Sequence, residues 1–107
     1  MADFYIKTDD TRPYLGARIK QDAAAVSLSG ATVAFTMATT AGVVKVNRQA
    51  CVVTDATAGE CEYRWAAGDT DTAGEYNAEL EITFADGKVM TAPANGYIRL
   101  TVVEDLA

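Results

Sequence analysis

Three groups of side chains in this 107-residue chain are of types that carry chemistry. Carboxylates are paired at Asp9 and Asp10, at Asp69 and Asp71, and at Glu79 and Glu81. Two carboxylates divide general acid and base work when they line one cleft in unlike environments. Loop oxygens such as those of Asp69 and Asp71 also suit Ca²⁺. Cys51 and Cys61 are of a type that binds metal, exchanges electrons or forms a disulfide. Ser27 and Ser29 have the hydroxyl of a nucleophile.

Each group meets an objection. The chain has no histidine, the commonest general base and the usual partner of a Ser or Cys nucleophile. Ser27 and Ser29 lie in a short turn-like stretch, without the strand-turn-helix setting of a nucleophile elbow. Glu79 and Glu81 stand two apart on an alternating segment, which places both on one solvated strand face. The G68-D-T-D-T-A-G74 loop lacks the spacing of an EF-hand, and Asp and Thr in such loops bond local backbone amides. The cysteine spacing is not CxxC, so neither a zinc site nor a redox dithiol is supported. No phosphate-binding glycine motif occurs. The expectation is no catalytic, cofactor-binding or metal-binding residue, and no cofactor.

Two readings of the cysteines remain. They flank the turn D55-A-T-A-G59. A hairpin centred on Ala56 sets Cys51 opposite Cys61 on one face. A non-hydrogen-bonded antiparallel pair has Cα atoms about 4.5 Å apart, within disulfide range. Alternatively both are reduced, buried thiols acting as small hydrophobes, as a chain without an export signal favours.

The elements that would position these groups are strands. Glu60 to Ala66 places Cys61, Tyr63 and Trp65 on one side and Glu62 and Arg64 on the other. Glu75 to Ala85 places Tyr76, Ala78, Leu80, Ile82 and Phe84 against Asn77, Glu79, Glu81 and Thr83. A period of two marks a strand with one dry and one wet face. Ala31 to Ala38 alternates likewise, with Val33, Phe35 and Met37 inward. Leu15, Ala17 and Ile19 follow the same rule after Pro13, a residue suited to strand starts. Val43 to Thr54 is expected as one long strand with a bulge, because two Val-Val pairs break its alternation. Gln21 to Ala25 is expected as a loop, and Val26 to Gly30 as a short edge element. Asp86-Gly87 is a turn signal, and Val89 to Thr91 and Tyr97 to Val103 form the last strands.

Short strands about ten residues apart, with no competing amphipathic helix, predict an all-β, Ig-like antiparallel β-sandwich. The expected organisation is one domain over residues 1–107 with a frayed tail from about 104. Its core is expected to include Phe35, Trp65, Tyr76, Leu80, Ile82 and Phe84. Trp65 would pack centrally, and Tyr76, just after a glycine-containing corner, would bond back to the upstream backbone.

Charge and hydropathy narrow the partners. A formal net charge of -6 opposes binding to a nucleic-acid backbone. It also opposes docking on anionic lipid. No apolar run approaches the roughly 20 residues of a membrane span, and the N-terminus lacks the pattern of a secretory signal.

A family resemblance rests on the ordered blocks F4-Y-I-K, D10-T-R-P13, L28-S-G-A-T-V-A-F-T-M37, E62-Y-R-W65, D69-T-D-T-A-G-E-Y-N-A-E-L-E-I-T-F84, T91-A-P and G96-Y. Together they resemble the N-terminal Ig-like domain of tailed-phage upper baseplate proteins, and related small phage virion proteins. The resemblance implies a non-enzymatic sandwich that attaches virion parts to one another in multiple copies. It implies other phage virion proteins as partners, a homo-oligomer in the assembled particle, and assembly in the bacterial host cytoplasm. Capsid decoration or a head-tail neck position is the alternative placement. A carbohydrate- or receptor-binding module is a further alternative, resting on Tyr5, Tyr14 and Tyr97.

Overall fold

The structure is a computed structural model and describes residues 3–106. Met1, Ala2 and Ala107, which the expected domain and tail include, lie outside the described residues. The strands are β1 (Asp3–Lys7), β2 (Leu15–Arg18), β3 (Lys20–Gln21), β4 (Ala24–Ala25), β5 (Thr32–Thr39) and β6 (Val44–Ala50). They continue with β7 (Val52–Asp55), β8 (Glu60–Tyr63), β9 (Gly74–Thr83), β10 (Val89–Ala92) and β11 (Ile98–Val103). The fold is all-β, as the alternation predicts, and forms an Ig-like sandwich.

The larger sheet runs β1-β11-β9-β5-β6, with β10 also on β9. Strand β9 organises it. Along one edge β9 pairs antiparallel with β5 over Tyr76 to Thr83. Along the other it pairs with β11 over Gly74 to Ala78 and with β10 over Leu80 to Thr83. Strands β10 and β11 therefore lie in line, separated by the Pro93–Gly96 bend opposite Glu79. The smaller sheet runs β2-β8-β7. Strands β3 and β4 form a separate two-residue hairpin whose turn residues Asp22 and Ala23 both have positive φ.

The core lies between the two sheets. Phe35 (β5) stacks on Tyr63 (β8), with centroids 4.3 Å apart and planes 15° apart. Trp65 meets both rings edge-on, at 5.7 and 5.2 Å, in the geometry aromatic quadrupoles favour. Phe35, Met37 and Ile82 are wholly buried, and Tyr76, Leu80, Leu100 and Val102 nearly so. Each large apolar side chain removed from water in this way contributes about 1.5–3 kcal/mol.

Several local expectations change. Val43 to Thr54 is not one strand. It is β6 in the larger sheet and β7 in the smaller, and the chain crosses between them at Cys51, whose N–H donates to the Val33 carbonyl at 2.8 Å. The Val52-Val53 break in alternation fits a bulge as well as a corner, so it does not by itself signal a change of sheet. Strand β8 stops at Tyr63, leaving Trp65 in the following loop. Val26 to Gly30 is not a strand. Val26 donates to the Ile19 carbonyl and Leu28 to the Ala56 carbonyl, which fastens the segment across the end of the sandwich. Gln21 and Ala24–Ala25, expected in a loop, belong to the β3–β4 hairpin. Phe84, expected in the core, is half-buried and packs against the core from its margin. It follows the end of β9 and enters the hairpin turn, where its N–H donates to the Lys88 carbonyl. Finally, β1 pairs with β11 in parallel, an exception to the antiparallel pattern.

Candidate interaction surface

The acidic loop between β8 and β9 is the densest polar feature. One oxygen of Asp69 accepts from the Ala66 N–H at 2.9 Å and from the Tyr63 hydroxyl. This closes the A66-A-G-D69 turn and gives a core tyrosine its partner. Burial, then the adjoining carboxylate, holds the Tyr63 phenol above its ordinary pKa of 10.0. Thr70 is almost fully buried; its hydroxyl donates to the Asp10 carbonyl at 2.8 Å, and its carbonyl accepts from Asp9. Asp71 pairs with Lys45 and accepts from the Thr72 hydroxyl, and the Lys45 bond holds its carboxyl below the usual range. The Tyr76 hydroxyl donates to the Thr72 carbonyl at 2.6 Å, the tyrosine-corner bond expected from its position after Gly74.

These side chains are therefore spent on fastening the loop. Among the described residues, no three or more His, Cys, Asp or Glu side chains gather as a metal site. Glu81, on the outer face of β9, pairs with Arg48. The i, i+3 step from Ala66 to Asp69 is the one sequence signal that could have revealed the Asp69 turn; the Tyr63 contact has none.

Cys51 and Cys61 do not face each other in register. Strand β7 pairs with β8 as Val52↔Glu62 and Val53↔Cys61, with an irregularity between Val53 and Asp55. The hairpin turns through residues 56–59 between Asp55 and Glu60, so its centre lies beyond Ala56 and Val53, not Cys51, stands opposite Cys61. Both thiols are free, Cys61 buried and Cys51 half-buried. Burial, with Cys61 nearby, pushes the Cys51 thiol up to about 12, and burial also raises Cys61. Neither thiol has the low pKa that marks a reactive cysteine.

The three tyrosines singled out for ligand stacking take different settings. Tyr5 and Tyr97 are exposed, the first on β1 and the second just before β11. Tyr14 is half-buried, with the guanidinium groups of Arg12 and Arg64 each 5.3 Å from its ring centroid.

A concavity of about 640 Å³ forms a seam on one side of the sandwich. The opposite side is closed by the chain itself, where β6 runs on into β7. On the open side, β2 and β10 each pair, among the described residues, on one edge only. The seam between them is lined by Leu15, Ile19, Leu80, Met90 and Ile98, with Asp3, Arg18 and Lys20 also on its walls. Its shape depends on which strands stop short, so no local pattern announced it.

A family model described as the BppU N-terminal domain, from a phage baseplate upper protein, matches residues 3–99. The chain belongs to this family. The match spans β1 through the start of β11 and includes both the fastened acidic loop and the open seam. The BppU N-terminal domain is a phage baseplate structural domain, associated with other virion proteins. Among solved structures, CopC from Methylosinus trichosporium OB3b is similar at TM-score 0.58 and 12% identity, covering 100% of this chain and 89% of that one. At that identity the likeness concerns the fold alone. No curated protein matches the chain.

Proposed function

We propose that the protein is a non-enzymatic adaptor of a tailed-phage virion, an Ig-like module that attaches components of the baseplate or tail to one another. The match to the BppU N-terminal domain over residues 3–99 carries this reading. The side-chain chemistry supports it. The carboxylates of the acidic loop hold the loop in place, and the thiols have raised pKa values.

The attachment uses backbone edges and the apolar seam. An extended segment of a neighbouring virion protein adds to a free strand edge, where main-chain hydrogen bonds supply affinity and alternate side chains enter the apolar channel. Repetition around a symmetric particle supplies avidity, so each contact can be small.

The test is mass spectrometry of purified particles, combined with a photo-crosslinking residue at Ala17 in the seam. Stoichiometric presence and a crosslink to one baseplate or tail protein are expected. Absence from intact particles refutes the virion role. A crosslink to the major capsid protein moves the protein to the head, as decoration or neck.

A further inference from the structure

Strand β1 is an edge whose sequence is complementary to itself. Among the described residues it pairs only with β11. The Thr8 N–H donates to the Val103 carbonyl at 2.9 Å, which fixes the phase of the parallel ladder. Even-numbered residues turn their amide groups toward β11, so Asp3, Tyr5 and Lys7 turn theirs away. The side chains agree with a regular strand: Ile6 is buried and Phe4 half-buried, while Asp3, Tyr5 and Lys7 are exposed.

We propose that this edge pairs with the same edge of a second copy of the chain, antiparallel about a two-fold axis at Tyr5. In that register Asp3 lies opposite Lys7 of the partner subunit, and Lys7 opposite Asp3 of the partner subunit. The two Tyr5 side chains meet at the axis. Opposite charges directly across an antiparallel pair are favourable, and here one strand supplies both signs at symmetric positions. Tyr5 at the centre turns both its N–H and its carbonyl outward. At each end the Lys7 carbonyl already accepts from the Asp10 N–H at 3.2 Å, so the end pair is made by the Lys7 N–H donating to the partner subunit's Asp3 carbonyl. A slip by two residues sets Asp3 against Tyr5 and leaves Lys7 unpaired, so the charges select the register.

The other free edges fit less well. Strand β6 has two register shifts against β5, and Arg48 has a positive φ; such irregularity turns an edge away from pairing. Strands β2 (L15-G-A-R18), β7 (V52-V-T-D55) and β10 (V89-M-T-A92) are one residue shorter and have no charges of opposite sign at symmetric positions. The competing role for Asp3 and Lys7 is that of charged guards that keep a strand edge solitary. The dimer contact is independent of the proposed place in a virion.

The test is sedimentation of the full chain from micromolar to millimolar concentration, in the original and three variants. The original chain is expected to dimerise within this range. Asp3→Lys and Lys7→Asp each replace two attractive pairs by two repulsive ones and raise the dimer dissociation constant about tenfold or more. Mixing Asp3→Lys with Lys7→Asp in equal amounts restores attraction at both ends, so a heterodimer as tight as the original is expected. Tyr5→Pro removes an outward donor without touching the β11 ladder, as proline on an edge strand permits. It is expected to be monomeric with an unchanged circular dichroism spectrum; if it unfolds, the charge variants decide. A monomer at every concentration overturns the proposal and favours the guard role. A dimer indifferent to the charge changes, or one that mixing fails to restore, also overturns it.

Discussion

The Trp65 indole N–H donates to the Pro13 carbonyl at 3.0 Å, joining segments 52 residues apart. The ring also meets Phe4, Phe35 and Tyr63 inside the core. A tryptophan suits this place because its body is apolar and its one polar atom reaches the rim. Trp65→Phe keeps an aromatic ring but leaves the carbonyl without its donor and a gap beside Phe35. A loss of roughly 2 kcal/mol is expected, against roughly 3–5 kcal/mol for Trp65→Ala. Urea unfolding midpoints at constant slope measure both.

Asp69 is a structural acceptor, so Asp69→Ala leaves the Ala66 amide and the half-sheltered Tyr63 hydroxyl without it. The expected cost is roughly 1–3 kcal/mol. Millimolar Ca²⁺ is expected to leave the melting temperature of the original protein unchanged. A calcium-dependent rise that disappears in Asp69→Ala would show instead that this carboxylate is a ligand.

The buried thiols and phenol make alkaline pH destabilising. Cys51 titrates near 9.0 when unfolded and is held up to about 12 in the fold. Above pH 9 the unfolded chain therefore binds fewer protons than the folded one, and stability falls as pH rises. It is fully present below pH 9 and declines toward pH 12 on account of this group. Tyr63 acts in the same direction from about pH 10 upward. Denaturant midpoints across this range are expected to fall, and less steeply in Cys51→Ala. A flat profile would contradict the burial of these groups.

Gly59 ends the turn before β8 with φ 72°, and a Cβ there would lie 2.7 Å from the carbonyl oxygens of Ile19 and Val26. Both obstacles are backbone, and Gly59 itself accepts from the Ile19 N–H. Gly59→Ala combines a left-handed conformation with a contact that cannot relax by rotamer change. A loss of at least roughly 2 kcal/mol is expected. Gly42→Ala, with φ 93° and open space around it, bears only the conformational part and is the control. Equal losses in calorimetry would remove the contact from the explanation.

Legibility in the sequence followed the reach of each interaction. Strands β5 and β9 alternate over eight and ten residues, and their faces follow from that period. The Tyr76 corner bond spans four residues, so the G74-E-Y76 run was enough to suggest it. The sheet change at Cys51 was hidden because β6 and β7 are both plausible strands and only their partners differ. The cysteine register failed because the hairpin turns through residues 56–59, with Asp55 opposite Glu60, rather than about Ala56. The seam and the outward amides of β1 depend on which strands lie side by side, and residue periodicity carries no record of that.

The parallel pairing of β1 with β11 has a mechanical consequence. Asp3 lies beside Arg99 and Lys7 beside Val103, so the chain enters this ladder at one end and leaves it at the other. Tension between those two points pulls along the strands. The rungs must then slide together under shared load, rather than peel apart one at a time. Such an arrangement resists being drawn out lengthwise far better than a hairpin opened from its free end.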